Sequence, residues 1–224
     1  MATKEKQATQ SSNRDKLKEK YIDAVLTGNQ NLTSVYAFCK SLKVKEDTFY
    51  KHFNSFKALE DAIWNDWLHE TISGVKNDPS YIEFSVREKL LSFYFTWFEM
   101  LLGNRSYVYA SLVKCTSPES FVKNASLQTL KSGFMDFASE LVREGEESGE
   151  IPHRQSLISK SYSEGLWLQF IFLMNFWKND NSKDFADTDA AIEKSVNLSL
   201  DLIGRGPLDA MVDFAKFMYQ QSRN

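Results

Sequence analysis

Apolar residues recur three and four positions apart along most of this chain, and that spacing limits what the chain can fold into. Val35, Phe38 and Leu42 show it in one short stretch, because they fall on a single face of a helix. No segment alternates apolar and polar residues over the length of a strand. Only 9 glycines and 4 prolines occur in 224 residues, few for a loop-rich protein. The sequence therefore predicts an all-α protein.

Two long apolar runs predict helices buried in a large core. Residues 90–102 read LLSFYFTWFEMLL and residues 165–177 read GLWLQFIFLMNFW, and both are shorter than a membrane span. The N-terminus lacks the apolar stretch of a secretory signal. Cys39 and Cys115 are too far apart in sequence to suggest a disulfide framework or a zinc knuckle. We expect a soluble cytoplasmic protein with no membrane insertion, metal or cofactor.

Charge is divided unevenly between the two ends of the chain. Residues 1–60 contain 11 Lys and Arg against 7 Asp and Glu, whereas the whole chain has a net charge of −3. The first part is therefore basic, with net charge +4, and the remainder is acidic, with net charge −7. This asymmetry favours a nucleic-acid-binding head on a separate body, although a lysine-rich solvated surface gives the same pattern.

The basic part has the layout of a helix-turn-helix. A first helix is expected between an N-cap at Asn13 and a terminating Gly28, and a second begins after an N-cap at Thr33. A short third helix carries Phe49 and Phe53 four residues apart. We predict three segments: a flexible basic arm (1–12), a DNA-binding domain with this layout (13–57) and a helical body (58–224), which the family resemblance given next implies to be a ligand-binding and dimerisation domain.

The segment from Thr33 to Trp64, TSVYAFCKSLKVKEDTFYKHFNSFKALEDAIW, resembles the DNA-binding region of the TetR family of transcriptional regulators. The family pattern has TS, an apolar pair, a Gly-Val-Ser turn, then T-[FL]-Y-x-[HY]-F and a downstream Leu. The residues that match without a gap are Thr33, Ser34, Val35, Val44, Thr48, Phe49, Tyr50, His52, Phe53 and Leu59. Beyond this region, only the helical layout and the sequence EESGEIP at 146–152 resemble the family.

The resemblance implies a homodimeric all-α repressor that binds a double-stranded DNA operator and a small apolar ligand. Thr33 or Ser34 would contact phosphate, Thr48 and Tyr50 would face DNA, and His52 would contact the backbone, roles that suit hydroxyl and imidazole groups. Phe49, Phe53 and Leu59 are expected to close the head's core. The full set of predicted DNA-binding residues is Thr33, Ser34, Lys43, Lys45, Glu46, Asp47, Thr48, Tyr50, Lys51, His52 and Lys57.

Several positions depart from the family pattern. Lys43 stands where the family usually has glycine, so a side chain with a Cβ is expected in a left-handed turn. Phe56 replaces a lysine that would contact phosphate, and Lys57 is a candidate substitute. Glu46 and Asp47 replace small or basic residues at the start of the helix expected to read DNA.

The two acids have a local role and a possible role towards DNA. Carboxylates in the first turn of a helix are stabilising by about 0.3–1 kcal/mol each, and Asp47 is a candidate N-cap in place of the serine that Lys45 replaces. Near a phosphate they are repelled by roughly 1 kcal/mol. Glu and Asp also accept a hydrogen bond from cytosine N4. We expect reduced general DNA affinity with retained selectivity for cytosine.

The run at 90–103 suggests a ligand site. Its polar residues Ser92, Thr96 and Glu99 share one face and are expected either to meet solvent or to line a cavity. The candidate ligand-binding residues are Phe95, Trp97, Phe98, Glu99, Phe134 and Phe137, with ordinary core packing as the alternative for the aromatic ones.

Two further helices, at 156–178 and 186–203, are predicted to form the four-helix dimer interface that the family resemblance implies. The first is too apolar to face water alone. The predicted interface residues are Leu166, Trp167, Phe170, Ile171, Met174, Trp177, Ile192, Val196 and Ile203.

An additional helix at 208–221 leaves one alternative function open. An appended amphipathic helix is also a feature of TetR-fold lipid-binding proteins of ubiquinone biosynthesis, which do not bind DNA. Asp209 and Asp213 do not suit a membrane-seeking face. No catalytic residues are proposed, because the three histidines have no carboxylates at metal-ligand spacing and no phosphate-binding loop occurs. We expect no enzyme activity.

Overall fold

The computed structural model describes residues 2–28, 30–153 and 156–204. Within these residues the chain forms ten α-helices and no strand, which confirms the all-α prediction. Three short 3-10 turns connect them, at Gln30–Thr33, Pro79–Glu83 and Lys183–Phe185. The helices are α1 (Ala2–Leu26), α2 (Val35–Ser41), α3 (Glu46–Tyr50), α4 (Phe56–Lys76), α5 (Val86–Gly103), α6 (Arg105–Ser111), α7 (Pro118–Val122), α8 (Ala125–Ser148), α9 (Ser156–Asn179) and α10 (Ala186–Gly204).

The first three helices pack around an aromatic cluster. Phe38 of α2 and Phe49 of α3 are fully buried, with their ring centroids 6.3 Å apart in an edge-to-face arrangement. Phe56 is the first residue of α4. The centroid of its ring lies 5.6 Å from that of Phe38, 5.7 Å from that of Phe49 and 5.5 Å from that of Tyr21. Phe56, which departs from the family pattern, is therefore a packing residue that joins the start of α4 to the head.

The turn between α2 and α3 adopts the left-handed conformation predicted at Lys43, whose φ is 57°. The Val44 amide donates to the carbonyl of Cys39 at 3.0 Å, and the Lys43 amide donates to that of Lys40 at 3.1 Å. These two bonds form a Schellman motif at the end of α2, a position where glycine is usual. A lysine here carries a conformational cost of about 1–2 kcal/mol.

The starts of α1 and α2 differ from the predictions. Helix α1 begins at Ala2, so the predicted flexible arm is helical and Asn13 lies inside α1 instead of capping it. Residues 2–12 are rich in Ala, Lys, Glu and Gln, which propagate a helix once packing of Leu17 and Tyr21 has nucleated it. Ser34, not Thr33, caps α2 by accepting a hydrogen bond from the Ala37 amide at 3.1 Å.

Helices α4 to α10 form the body around a dense aromatic core. The ring centroids of Phe93 of α5 and Phe137 of α8 are 4.8 Å apart, and those of Phe134 of α8 and Phe170 of α9 are also 4.8 Å apart. Trp97 packs on Phe170 at 5.6 Å. All five side chains are buried, so the two apolar runs recognised in the sequence lie at the centre of the body.

The EESGEIP sequence ends α8 and fixes the start of α5. Gly149 has a φ of 81°, which terminates the helix. Glu150 then accepts a hydrogen bond from the Val86 amide at 2.9 Å, satisfying one of the unpaired donors at the α5 N-terminus. Ile151 is buried against Gly145, where a larger residue would clash.

Among the helices described, none is long and apolar enough to cross a membrane. The described side chains also contain no group of three or more His, Cys, Asp or Glu arranged to hold a metal ion. The predicted helix at 208–221 lies outside the described residues.

Candidate nucleic-acid interface and its connection to the body

The head presents a surface of lysines that lack acidic partners. Lys40, Lys43, Lys45 and Lys51 are all exposed, and among the described residues none of them forms an ion pair. Lys57 differs, because its Nζ pairs with Asp61 one turn along α4. The first four cations are therefore free to bind phosphate, whereas Lys57 has to break an existing ion pair.

Helix α3 is short and starts without a side-chain cap. Lys45 occupies the N-cap position and forms no capping hydrogen bond, and Asp47 lies inside the first turn. The prediction that Asp47 caps the helix is therefore wrong. The reason is that helical geometry already begins at Glu46, which leaves both carboxylates in the first turn near the exposed amides.

Three predicted DNA contacts lie towards the end of α3. Tyr50 is 51% exposed, whereas Thr48 and His52 are half-buried. Burial lowers the pKa of His52, and the positive charges of Arg14 and Lys51 lower it further. The imidazole is therefore neutral at neutral pH and would meet a phosphate as a hydrogen-bond donor without a positive charge.

The start of α2 contributes exposed groups that include one the sequence analysis missed. Thr33 and Ser34 are exposed, but the Ser34 hydroxyl is already engaged as the N-cap. Tyr36 is also exposed, and Lys40 Nζ lies 5.8 Å from the centroid of its ring. Their spacing of four residues is the signal that would have placed both on one face.

An ion-pair network joins the head to the body. Arg14 of α1 donates to both carboxylate oxygens of Asp66 on α4, at 2.5 and 3.0 Å, and Lys18 Nζ lies 2.6 Å from the same carboxylate. The Arg14 guanidinium also lies 5.7 Å from the centroid of Phe53, at the end of the helix-turn-helix. Burial alone would raise the pKa of Asp66, but the hydrogen bonds from Arg14 and Lys18 outweigh it and lower the pKa.

The predicted ligand-binding residues divide into buried and exposed side chains. Trp97, Phe98, Phe134 and Phe137 are buried in the aromatic core, which matches the core-packing alternative. Phe95 and Glu99 are exposed on α5, as in the alternative in which the polar stripe meets solvent. Ser92 and Thr96, the other polar residues of the stripe, are half-buried.

Among the residues that the structure describes, three buried polar atoms of the body have no hydrogen-bond partner: Trp64 Nε1, Thr71 Oγ1 and the Tyr94 hydroxyl. Trp64 and Thr71 are seven residues apart on α4 and share one face. The ring centroids of Trp64 and Trp97 are 6.4 Å apart. Trp97 lies on α5, one turn from Tyr94. Trp64 therefore packs against α5, the helix that carries Tyr94. No pattern in the sequence marks the three polar groups, because each belongs to an ordinary residue of an apolar helix face.

The nine predicted dimer-interface residues are all buried within a single chain, so they cannot form an intermolecular surface. Trp167 and Phe170 of α9 pack on Phe134 of α8, and Trp177 packs on Phe98 of α5. The outward side of α9 and α10 carries other apolar residues: Leu168 and Phe172 of α9 are exposed, as are Leu198 and Leu202 of α10. Between the helices runs a groove of about 430 Å³, lined by Phe172, Phe176, Asp187, Ala190, Ala191, Lys194, Ser195 and Leu198.

Comparison with known proteins gives both a family and a fold. The model of the Tetracyclin repressor-like, C-terminal domain family matches residues 89–218. The fatty acid degradation regulator FadR from Bacillus halodurans is similar over 84% of this chain and 94% of that chain, with 16% identity and a TM-score of 0.58. A tetR-family regulatory protein from Rhodococcus RHA1 matches over 86% of this chain and 97% of that chain, with 15% identity and a TM-score of 0.49.

None of the curated proteins matches the sequence. The FadR likeness shows a shared fold. The family match covers more than half of the residues and lies in the body. It agrees with the family that the TS and T-F-Y-x-H-F residues of the head indicate. The chain belongs to the TetR family of regulators.

Proposed function

We propose that the protein regulates transcription by binding operator DNA through its head, residues 33–57. The observation that carries this proposal is the set of exposed, unpaired lysines around α3. Lysines without acidic partners release counterions when they meet phosphates, and this provides most of the non-specific affinity of DNA-binding proteins. In a helix-turn-helix the second helix enters the major groove, which here is α3.

Selection of bound sequences from a pool of duplexes with randomised centres tests this function. The purified full chain should enrich one sequence, and its affinity should fall steeply as salt rises. Absence of duplex binding even at low salt would overturn the proposal. The lipid-binding alternative would then account better for the body, and it predicts that the protein carries a lipid without affecting transcription.

We propose that two copies associate through the outward side of α9 and α10. Phe172 is 47% exposed and Leu198 is 61% exposed, and both border the apolar groove between the two helices. Apolar surface of this kind is typical of a protein–protein contact. A two-fold dimer would repeat the head, so that two α3 helices could read the two halves of a palindromic operator.

We propose that the body binds a small, mainly apolar ligand that carries a polar group. A buried polar atom without a partner is unfavourable by about 1–3 kcal/mol, and a ligand that supplies the missing hydrogen bonds recovers that energy. Trp64 Nε1, Thr71 Oγ1 and the Tyr94 hydroxyl are such atoms. The FadR of Bacillus halodurans is named for fatty acid degradation, which makes fatty acids the first ligands to test. We further propose that this ligand relieves repression and that the protein catalyses no reaction. A regulator of this kind acts in the cytoplasm.

A further inference from the structure

The most outward-facing residues of α3 and its C-cap are an acid and a base one turn apart. With about 100° between successive residues, Asp47 and Lys51 lie roughly 40° from each other and roughly 160° from the buried Phe49. Both side chains are exposed, and neither forms an ion pair among the described residues. If α3 enters a groove, these two side chains meet the base edges first.

Glu46, the other acid of this turn, occupies a different environment. Its side chain is half-buried. Around the helix it lies roughly 60° from the buried Phe49, which packs on Phe38 of α2. Burial raises the pKa of the Cys39 thiol of α2, and the charge of Glu46 raises it further. Glu46 therefore belongs to the side of α3 that faces α2. The sequence treats the two acids alike, whereas the structure separates a helix-facing Glu46 from a solvent-facing Asp47.

The chemistry of a carboxylate restricts what Asp47 can contact in DNA. It only accepts hydrogen bonds, and phosphates, which also only accept, repel it. In the major groove, exocyclic amines are the available donors, and Asp is suited to cytosine N4. An ammonium group at Lys51 only donates, and guanine O6 and N7 are its acceptors.

We propose that Asp47 and Lys51 together read G·C base pairs in each half of the operator, with Asp47 accepting from cytosine N4 and Lys51 donating to guanine. Four residues of helix rise about 6 Å and successive base pairs are about 3.4 Å apart, so the two contacts fall within about two base pairs. This assignment rests on the proposed DNA-binding function. It also gives Asp47 a second effect, which is to weaken binding wherever cytosine is absent.

The test compares four full-length proteins on the same pool of randomised duplexes: the wild type, Asp47→Asn, Asp47→Ala and Asp23→Asn. Asn pairs with adenine N6 and N7, so Asp47→Asn should change the preference at one position from cytosine to adenine. Asp47→Ala should reduce the cytosine preference roughly tenfold and strengthen binding to unrelated duplexes. Asp23→Asn removes the same charge from an exposed site on α1 and should leave base preference unchanged.

Two results would overturn the assignment, and they are distinguishable. If the wild type enriches a sequence and both Asp47 variants keep the same cytosine preference, Asp47 does not read a base although the DNA-binding function stands. If the wild type binds no duplex at low salt, the proposed function and the assignment fail together. Equal melting temperatures for all four proteins would show that the fold is intact.

Discussion

Arg14 donates through both terminal guanidinium nitrogens to the carboxylate of Asp66, which joins α1 of the head to α4 of the body. The two residues are 52 positions apart in sequence. Because Lys18 also binds this carboxylate, one acid holds two cations of α1. The pair therefore stabilises the position of the first helix against the helix that continues into the body.

Asp66→Asn should lower the free energy of unfolding by about 1–2 kcal/mol, a value between those of exposed and buried ion pairs. Chemical denaturation followed by circular dichroism measures the change. The matched control is Glu119→Gln, which breaks the exposed pair with Lys123 and should have little effect. Equal losses in the two variants would contradict a special role for Asp66.

The same pair predicts a pH dependence. The pKa of Asp66 is lower in the folded protein than its unfolded value of about 3.9. Its contribution to stability is therefore complete above that unfolded value and is lost as the pH falls through the folded pKa. The difference in unfolding free energy between wild type and Asp66→Asn should shrink as acid is added. A difference that stays constant down to the lowest accessible pH would argue against the ion pair.

Phe172→Glu or Leu198→Glu should convert the proposed dimer into folded monomers, because a charge placed on the outward side of α9 or α10 disfavours its burial. Light scattering gives the mass, and circular dichroism shows whether the helices remain. Ile82→Glu, at another exposed apolar position, serves as the control. By contrast, Phe170→Glu places a charge in the core and should unfold the chain. A dimer that survives both surface changes would rule out this interface.

Replacing Lys43 with glycine should separate its conformational and electrostatic effects. Glycine relieves a left-handed conformation that costs about 1–2 kcal/mol but loses about 0.5–1 kcal/mol of backbone entropy, so we expect a gain of about 0.5–1 kcal/mol in stability. DNA binding should weaken, and the slope of log affinity against log salt should decrease by about 1. Lys43→Ala should show the DNA effect without the gain in stability. If Lys43→Gly leaves the salt slope unchanged, Lys43 does not bind a phosphate.

Tyr94→Phe should stabilise the ligand-free protein by about 1 kcal/mol, since it removes a buried hydroxyl without a partner. The same change should reduce the rise in melting temperature caused by any ligand that bonds to this hydroxyl. Tyr109→Phe is the matched control, because the Tyr109 hydroxyl donates to the carbonyl of Lys178 at 2.6 Å and its loss should be destabilising. A destabilised Tyr94→Phe protein would mean that the hydroxyl is satisfied, for example by water.

Local features of the fold could be predicted from the sequence. Helices α9 and α10 begin and end within one residue of the predicted positions, and the left-handed turn falls at Lys43 as expected. Each of these features depends on apolar spacing, a capping residue or a turn that a few neighbouring residues determine. The TetR resemblance was recognisable for the same reason, because its matching residues lie within one short segment.

Only the tertiary structure decided which way the apolar helices face. Helix α9 is apolar around most of its circumference, so its periodicity could not distinguish Phe170, which is buried, from Phe172, which is exposed. The same limit explains why Phe95 was expected in a cavity. The environments of Asp47 and Glu46 differ because α2 covers one side of α3. Arg14 contacts Asp66 because α1 packs on α4. A sequence determines where a helix forms through neighbouring residues, whereas the environment of each face depends on distant segments that only folding brings together.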